Sequence, residues 1–388
     1  MKRIVIAGAG FAGISALKPL GKFTVTAPEY ETMIFDKNDY TTMMPSLPDI
    51  AAKRIKQNLP KASIRDLLPK RVLFKNEEIE RIDFDAQSVS AGSKDYEYDY
   101  LLLSAGSVSN FYGFNQHLSR IFVLDSFTEA LRIEQEFSKY LENRESYTVI
   151  IAGAGFTGIE TACVLKAYAE TNARTINVVL IEKADRVLGN LPAHISDYLE
   201  SFMSGLGFRV IKRSTVESFN GNDIALETGE IFKDVFFVWT SGSKRAIEDI
   251  SGTFTTLPDG RINVTEYLQV PGYKNIFAAG DSAAIKSGDG YLRKAAPFSA
   301  SSGRAAGKNI MRSLENRPLK KFRPVELGWI IPLYPSSIGH VLGLNIKGRP
   351  GMSLHYLTCS YRTHGIKHRA GYFLQALKIL VSGGQPRP

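Results

Sequence analysis

Two glycine-rich segments have the residue types and the spacing that bind a pyrophosphate. Gly8–Gly13 reads GAGFAG and Gly153–Gly158 reads GAGFTG, so both match the pattern G-x-G-x-x-G. In this pattern the first glycine makes a tight turn, the second lets the backbone approach a pyrophosphate, and the third lets a helix pack closely on a strand. The glycines are Gly8, Gly10 and Gly13, then Gly153, Gly155 and Gly158. One copy can be an ordinary turn, but two copies predict that the chain holds two dinucleotides.

A carboxylate follows each glycine segment at the distance where such folds contact a ribose. Asp36 lies 23 residues after Gly13, and Glu182 lies 24 residues after Gly158. A carboxylate at this position hydrogen-bonds ribose hydroxyls and repels a 2′-phosphate. For the second segment this favours NAD over NADP.

Both glycine segments lie in the same predicted order of strand, turn and helix. A short β-branched run, Ile4–Ile6 or Val149–Ile151, leads into the glycines, and an apolar helical pattern follows. This is the strand–turn–helix start of a dinucleotide-binding unit, in which the helix N-terminus presents free N–H groups to the phosphates. We therefore predict an α/β fold with two Rossmann-like dinucleotide-binding domains and a small C-terminal segment.

Composition narrows the class of protein. A chain of 388 residues with 44% apolar residues is long enough for two or three domains and is typical of soluble α/β proteins. Its two cysteines form no C-x-x-C pair, which predicts a reduced, cytosolic chain without the dithiol of disulfide reductases. The first strand begins within three residues of the start and no run of 18 apolar residues occurs, so neither a signal peptide nor a spanning helix is expected. No group of His, Cys, Asp or Glu residues has the spacing of metal ligands, so no metal is expected.

The positive charge is concentrated at one end of the chain. The net charge is +9, and residues 312–388 contain 12 Lys and Arg but only 2 Asp and Glu. A basic excess of this kind predicts an anionic surface as partner. Phospholipid is favoured over nucleic acid because no nucleic-acid-reading motif accompanies the charge.

Several segments together resemble a known family, the two-dinucleotide-binding flavoprotein oxidoreductases. Within that family the chain is most similar to the type II NADH:quinone oxidoreductases, which are single-subunit respiratory dehydrogenases that do not pump protons. The matching segments, in chain order, are GAGFAG, FDKNDYTTMMP, SIRDLLPK, YDYLLLSAGSVSNFYG, GAGFTGIE, IEKADRVLGNLP, VWTSGS and NIFAAGD.

The resemblance implies two cofactors and a membrane substrate. FAD would lie at the first glycine segment and at Gly280–Asp281, and NADH at the second glycine segment. A hydride would pass from NADH to the flavin, and two electrons would then pass to a membrane quinone. The cofactor-binding residues implied are Gly8, Gly10, Phe11, Ala12, Gly13, Asp36, Lys37, Ile79, Ala105, Gly106, Gly280 and Asp281, with Gly153, Gly155, Gly158, Glu182 and Gly242.

The resemblance also implies a domain plan and an assembly. The FAD domain would be discontinuous, over residues 1–115 and 258–325, and the NAD domain would cover residues 116–257. Residues 326–388 would form a segment for membrane association and dimerisation. A homodimer attached peripherally to the cytoplasmic side of the cell membrane is expected.

Glu160 is the predicted catalytic residue. It follows Gly158 by two residues in the first helical turn, and the matching glutamate of the family lies near the flavin and the nicotinamide. We predict that it orients the nicotinamide or handles protons. The alternative is a glutamate that only stabilises the helix N-terminus by charge–dipole interaction.

The predicted quinone site departs from the family pattern. Type II dehydrogenases carry an Ala-Gln motif before the last core helix, and here Ala296 is followed by Pro297. The later glutamines are replaced by Ser301 and Ser302. The quinone pocket is therefore altered or absent, and other electron acceptors, including small proteins and dioxygen, stay open.

The two cysteines raise a second enzymatic possibility. Sulfide:quinone oxidoreductases are relatives that use cysteines at the flavin, and Cys163 and Cys359 have a superficially similar spacing. However, Cys163 is expected to be a buried packing thiol inside a helix, while Cys359 is expected to be half-buried. A further alternative is an NADH-sensing flavoprotein without a quinone acceptor.

The C-terminal segment contains a candidate interfacial helix. Residues 368–381 have a helical pattern with Phe373, Ala376, Leu377 and Leu380 on one face. Arg362, Lys367 and Arg369 flank this stripe, and Tyr372 and Phe373 are expected at headgroup depth. The alternative is a helix that packs on its own domain.

Overall fold

The computed structural model describes residues 2–27, 29–142, 147–189, 191–334 and 336–381. The helices are α1 (Phe11–Thr26), α2 (Leu47–Ala51), α3 (Phe127–Glu142), α4 (Phe156–Thr171), α5 (Ala193–Gly205), α6 (Ala296–Leu314), α7 (Arg349–Arg362) and α8 (Ile366–Val381). The strands of the first part of the chain are β1 (Lys2–Ala7), β2 (Tyr30–Phe35), β3 (Tyr40–Thr42), β4 (Lys61–Ser63), β5 (Val72–Lys75), β6 (Ile79–Asp83), β7 (Ser88–Ala91), β8 (Lys94–Glu97), β9 (Tyr100–Leu103), β10 (Ser107–Ser109) and β11 (Phe122–Val123). The remaining strands are β12 (Thr148–Ala152), β13 (Asn177–Glu182), β14 (Arg209–Lys212), β15 (Val216–Phe219), β16 (Ile224–Leu226), β17 (Ile231–Phe232), β18 (Val235–Trp239), β19 (Ser243–Arg245), β20 (Asp249–Ser251), β21 (Ile262–Asn263), β22 (Ile276–Ala278), β23 (Ala283–Ala284), β24 (Lys286–Ser287), β25 (Gly290–Tyr291), β26 (Gly328–Leu333), β27 (Ser336–Val341) and β28 (Leu344–Lys347).

The chain folds into two compact units. The first unit contains Met1–Thr42, Lys61–Val108 and Ser243–Glu326, and the second contains Met43–Pro60, Ser109–Gly242 and Leu327–Pro388. This division differs from the predicted boundaries. The chain returns to the first unit at residue 243 rather than 258, because β20 pairs in parallel with β6. Residues 43–60 belong to the second unit, because α2 packs against α3 and α4. Residues 327–381 also belong to the second unit, and residues 382–388 lie outside the described residues.

The first unit is built on a five-stranded sheet in the order β22-β9-β1-β2-β5. All of its pairings are parallel, and the apolar side chains of Ile4, Val5 and Ile6 in the central β1 are completely buried. The chain leaves β1 towards β2 on one side and later returns through β9 on the other. Ligands of open parallel sheets bind at the carboxyl ends of the strands where the order reverses in this way.

The second unit repeats this arrangement. Its main sheet has the order β11-β18-β12-β13-β14, again with parallel pairings, and β12 is central and buried. The strand order reverses between β18 and β13, on either side of β12. The two predicted Rossmann-like sheets are thus confirmed.

The C-terminal part of the second unit contains an antiparallel sheet and two helices. Strands β26, β27 and β28 form the sheet, and α7 and α8 pack against each other. The predicted helix is confirmed, although it begins at Ile366, two residues earlier than the pattern indicated. Within the described ranges, no helix combines the length and the apolar character needed to traverse a bilayer.

Candidate functional site

The first glycine turn lies in the first unit, at the carboxyl end of β1. Gly8 has a φ of +98°, which L side chains rarely adopt, and a Cβ at Gly13 would overlap the Gly8 carbonyl oxygen. By contrast, a Cβ at Gly10 would meet no atom within 4 Å. Gly10 is also the N-cap of α1, and no described side chain hydrogen-bonds at this cap. The turn therefore presents free helix N–H groups on an open side, and a pyrophosphate fits it.

Asp36 lies beside this turn, directly after β2. Its Oδ2 accepts a hydrogen bond of 2.8 Å from the Ala9 backbone N–H, and its Oδ1 accepts one of 2.9 Å from the Asn38 N–H. Burial raises the pKa of Asp36, although these hydrogen bonds oppose the rise. The carboxylate is thus held in a fixed position. Of the neighbouring predicted residues, Lys37 forms an exposed ion pair with Glu78 at 3.0 Å, and the Ile79 side chain packs in the core.

The predicted residues after β9 and β22 lie at the same edge of the sheet. The Gly106 N–H donates to Ser282 Oγ at 3.1 Å, and the Gly280 N–H donates to Ser302 Oγ at 3.0 Å. A Cβ on Gly280 would lie 3.0 Å from the Ala12 Cβ, so the Gly280–Asp281 segment closes on the first helix. The structure therefore brings Phe11, Ala12, Ala105, Gly106, Gly280 and Asp281 to one sheet edge within the first unit.

Lys294 was missed by sequence analysis. Its Nζ donates to Ser243 Oγ at 2.7 Å and lies 3.5 Å from an Asp259 carboxylate oxygen. Burial lowers the pKa of Lys294, and its positive charge in turn lowers the pKa of Asp281, whose own burial outweighs this effect. Nothing in the sequence indicated a role for Lys294, because its contacts Ser243 and Asp259 lie 51 and 35 residues away along the chain.

Ala296 and Pro297, the predicted quinone residues, form the start of α6. Ala295 is the N-cap of this helix, and Pro297 lies in its first turn. Proline has no backbone N–H, so this helix N-terminus has one donor fewer than a chain with glutamine at the same position.

The second glycine turn has the same geometry inside the second unit. Gly153 has a φ of +101°, a Cβ at Gly158 would overlap the Gly153 carbonyl oxygen, and a Cβ at Gly155 would meet no atom within 4 Å. Glu182 ends β13, and its Oε2 accepts a hydrogen bond of 2.8 Å from the Ala154 N–H. The open glycine, the uncapped start of α4 among the described residues and the fixed carboxylate fit a second dinucleotide. Gly242, the last residue before the first unit resumes, has a φ of +97°.

Glu160 is the fifth residue of α4 and is half-buried. The predicted position in the first helical turn is wrong, because the helix begins at Phe156 and its first turn contains no acidic residue. Burial raises its pKa well above the ordinary value, and the negative charge of Asp49 raises it further. No described residue hydrogen-bonds its carboxyl group. Sequence analysis missed Asp49 and its ion-pair partner Arg54. Nothing in residues 43–60 indicates that this segment packs against α4.

Both cysteines are buried and protonated. Cys163 has 1% of its surface exposed, which confirms the predicted packing thiol. The expectation of a half-buried Cys359 is wrong, because this residue lies on the inner face of α7 and is 2% exposed. Burial raises the pKa of each thiol to about 12. Neither residue is therefore a thiolate at neutral pH.

Helix α8 has one buried and one exposed apolar face. Tyr372, Ala376 and Ile379 are buried. The expectation that Tyr372 is accessible is wrong, because its hydroxyl donates to the buried Ser46 Oγ at 2.8 Å. The exposed face carries Ile366, Phe373, Leu374, Leu377, Leu380 and Val381. The exposed basic residues Lys367, Arg369 and Lys378 lie on the same helix.

Comparison with known proteins gives consistent matches. Residues 2–307 match the family model described as pyridine nucleotide-disulphide oxidoreductase. A type II NADH:quinone oxidoreductase of Staphylococcus aureus (strain bovine RF122 / ET3-1) is 25% identical over 376 residues, which cover 90% of this chain and 92% of the relative. The solved structure of NDH2 from Plasmodium falciparum in complex with NADH has a TM-score of 0.84 at 16% identity and covers 99% of both chains. The sulfide:quinone oxidoreductase of Aquifex aeolicus has a TM-score of 0.78 at 20% identity and covers 98% of this chain and 96% of that one. These two structural similarities show a shared fold.

Proposed function

Because the chain belongs to the pyridine nucleotide-disulphide oxidoreductase family, we propose that it is an FAD-dependent NADH:quinone oxidoreductase that does not pump protons. The observation that carries the proposal is an arrangement that occurs in both units. We call it a nucleotide cradle, and it consists of the glycine turn, the helix start after it and the carboxylate at the end of the next strand. Each unit has an open second glycine, an uncapped helix start among its described residues and a carboxylate held by a backbone N–H. The relatives named type II NADH:quinone oxidoreductases support the choice of reaction.

The residues of the first unit hold FAD. The turn at Gly8–Gly13 receives the pyrophosphate at the start of α1, and Asp36 accepts hydrogen bonds from the ribose. Asp281, which is fixed by a 3.0 Å hydrogen bond from Ser299, and Lys294 offer further polar contacts at the same sheet edge. When bound, FAD supplies the redox chemistry, since it accepts two electrons from a nicotinamide and passes them to an acceptor.

The residues of the second unit hold NADH. The Gly153–Gly158 turn binds its pyrophosphate, and Glu182 binds the adenosine ribose and excludes a 2′-phosphate. Glu160 orients the nicotinamide or holds a proton for the reaction. Its burial and raised pKa favour a functional role, because a carboxyl group that only stabilised a helix N-terminus would act best in its charged form.

A quinone is the proposed electron acceptor. The first turn of α6, at Ala296–Pro297, offers one N–H donor fewer than the family pattern, so a quinone would depend on other contacts there. Sulfide oxidation is the weaker candidate, because Cys163 and Cys359 are both buried as neutral thiols. A sulfide-oxidising cysteine must be accessible and reactive.

A stopped-flow experiment tests this function. NADH is expected to bleach the bound flavin rapidly, and ubiquinone or menaquinone is expected to restore its colour in a second rapid phase. Sulfide is expected to bleach nothing, and Cys163→Ser is expected to behave as the wild type. Fast bleaching by NADH without rapid reoxidation by any quinone would instead favour the NADH sensor. Bleaching by sulfide that disappears in Cys163→Ser would reverse the choice of substrate.

The exposed face of α8 is proposed to attach the protein to the cytoplasmic side of the membrane, as a peripheral homodimer. Phe373, Leu374 and Leu377 are exposed apolar side chains, and Lys367 and Arg369 lie on the same helix. An amphipathic helix with such a face buries its apolar side chains at the headgroup boundary. Each basic residue near an anionic leaflet adds about 1 kcal/mol.

The double variant Leu374→Glu/Leu377→Glu is expected to bind vesicles of phosphatidylglycerol and phosphatidylcholine at least about tenfold more weakly than the wild type. Two charged side chains then stand where apolar side chains would be buried at the headgroup boundary. Co-sedimentation at low and high salt measures this, and activity with a water-soluble quinone should be unchanged. Ile231→Glu is the control for a negative charge placed on another exposed apolar residue, since Ile231 in β17 is more exposed than Leu374 and Leu377. Equal vesicle binding by all three proteins would exclude α8 as the attachment site. Sedimentation velocity gives the oligomeric state of each variant.

A further inference from the structure

The segment that follows β18 closes on the second glycine turn. The carboxyl ends of β18 and β12 lie side by side, because these strands pair in parallel along their whole length. Thr240 Oγ1 donates to the Gly153 carbonyl at 3.1 Å, and a Cβ at Gly153 would lie 3.0 Å from the backbone nitrogen of Ser241. Since β18 and β13 flank β12 on opposite sides, Thr240–Gly242 borders the turn on the side away from β13.

Asn110 holds a second segment at the end of β18. Its backbone N–H donates to the Gly242 carbonyl at 3.2 Å, and the Trp239 indole N–H donates to the Asn110 carbonyl at 2.9 Å. The Asn110 side chain also accepts a hydrogen bond of 2.9 Å from the Tyr112 N–H, as asparagine does in many turns. Residues 110–112 are thus fixed beside the Thr240–Gly242 segment.

Tyr112 has a strained backbone and an exposed ring. Its φ is +50°, in the left-handed region that bulky residues rarely adopt. Phe111 and Phe114 pack on Trp239, with ring centroids 5.4 and 5.5 Å from that of the indole, whereas Tyr112 is 69% exposed. A side chain that is so exposed adds little to the core. Strained residues of this kind are concentrated at ligand sites.

The hydroxyl group of Tyr112 lies against the backbone of Gly242. A Cβ at Gly242 would overlap Tyr112 Oη and lie 2.9 Å from the ring carbon Cζ, so only glycine fits beneath the ring. Within the described ranges, no residue hydrogen-bonds this hydroxyl group. The end of the Tyr112 side chain is therefore held at the border of the glycine turn with a polar group free to contact a ligand.

The position of Tyr112 indicates which half of a dinucleotide it contacts. A dinucleotide crosses the carboxyl ends of a parallel sheet where the strand order reverses, with its pyrophosphate at the glycine turn. Glu182 ends β13 and is on the adenosine side of the turn. Because β18 lies on the other side of β12, Tyr112 is on the nicotinamide side.

We propose that Tyr112 binds the nicotinamide riboside half of NADH, with its ring against the nucleotide and its hydroxyl group in a hydrogen bond to it. The proposal rests on the proposed function, in which the second unit holds NADH. The ring contact and the hydrogen bond each change an affinity by about threefold to tenfold. Tyr112 thus belongs to the nucleotide cradle of the second unit as a binding residue that holds the nicotinamide.

Tyr112→Ala separates the two halves of the nucleotide. The FAD-loaded protein is titrated by calorimetry with ADP-ribose, which lacks the nicotinamide, and with tetrahydro-NAD, an analogue of NADH that gives up no hydride. The affinity of Tyr112→Ala for tetrahydro-NAD is expected to fall about tenfold, while its affinity for ADP-ribose stays that of the wild type. Tyr112→Phe keeps the ring and should lose about threefold in affinity for tetrahydro-NAD.

Two further variants separate binding from a structural role. Tyr361→Ala is the matched control, since Tyr361 is an 83% exposed tyrosine of α7 in the same unit and should change neither affinity. Tyr112→Gly removes the backbone strain, because glycine adopts a positive φ readily. It should therefore keep or raise the melting temperature and still lose about tenfold in affinity for tetrahydro-NAD. A purely structural tyrosine would predict a lower melting temperature and equal changes for both ligands.

The outcomes distinguish this inference from the proposed function. Unchanged affinity for tetrahydro-NAD in Tyr112→Ala and Tyr112→Gly would overturn the inference and leave the proposed function in place. An equal loss of affinity for ADP-ribose and tetrahydro-NAD would also overturn it, because only a disturbance of the whole turn affects the adenosine half. A wild-type protein that binds neither ligand would contradict both the inference and the assignment of NADH to the second unit.

Discussion

Gly155→Val is expected to abolish efficient NADH oxidation while the protein stays folded and yellow with FAD. A Cβ at Gly155 meets no atom within 4 Å, and the residue has a φ of −81°, which valine can adopt. The new side chain fills the space through which the backbone approaches a pyrophosphate. We expect NADH affinity to fall about 100-fold, which corresponds to about 3 kcal/mol. Titration calorimetry and the rate of flavin bleaching measure this loss.

The two glycine turns provide the matched controls for this experiment. Gly10→Val occupies the equivalent open position in the first unit, so it is expected to give colourless protein that still binds NADH. Gly158→Ala places a Cβ onto the Gly153 carbonyl oxygen, so it should instead destabilise the fold by about 2–3 kcal/mol. If Gly155→Val lost FAD and Gly10→Val lost NADH binding, the assignment of the two cofactors would be reversed.

Glu182→Gln is expected to reduce the preference for NADH over NADPH about 100-fold. The Glu182 carboxylate is held by N–H groups of Ala154 at 2.8 Å and Ala184 at 2.9 Å, which fixes its negative charge at the end of β13. Two charges in contact near a protein surface interact by up to about 4 kcal/mol. Glutamine removes the repulsion between residue 182 and the 2′-phosphate of NADPH, so NADPH binding should improve by most of this energy. Glutamine keeps one acceptor oxygen, so the turn should remain formed. The ratio of kcat/KM for the two nucleotides is the measurement.

Two variants control for a general disturbance of the site. Glu182→Asp keeps the charge and should keep the preference for NADH. Asp36→Asn changes the equivalent carboxylate of the first unit, so it should alter FAD retention without changing the NADH to NADPH ratio. An unchanged ratio in Glu182→Gln would mean that another residue excludes the 2′-phosphate.

The two cradles were predictable because their requirements are local. A tight turn after a strand needs glycine at fixed offsets, as the overlap of a Cβ at Gly13 or Gly158 with the preceding turn shows. Asp36 and Glu182 could be identified because each ends the next strand of the same βαβ unit. The fold class followed from the same repeated pattern of strand, turn and helix.

The surroundings of Glu160 were decided by tertiary structure alone. Asp49 and Tyr356 lie 307 residues apart in the chain and meet only because residues 43–60 fold into the second unit. The burial of Cys359 and Tyr372 has the same origin, since both pack towards Ser46 from separate C-terminal helices. Periodicity gives the faces of a helix but not the neighbour that covers each face. The sequence thus determined the two glycine turns that we propose to hold nucleotides, while long-range packing determined which helices lie next to the helix that carries Glu160.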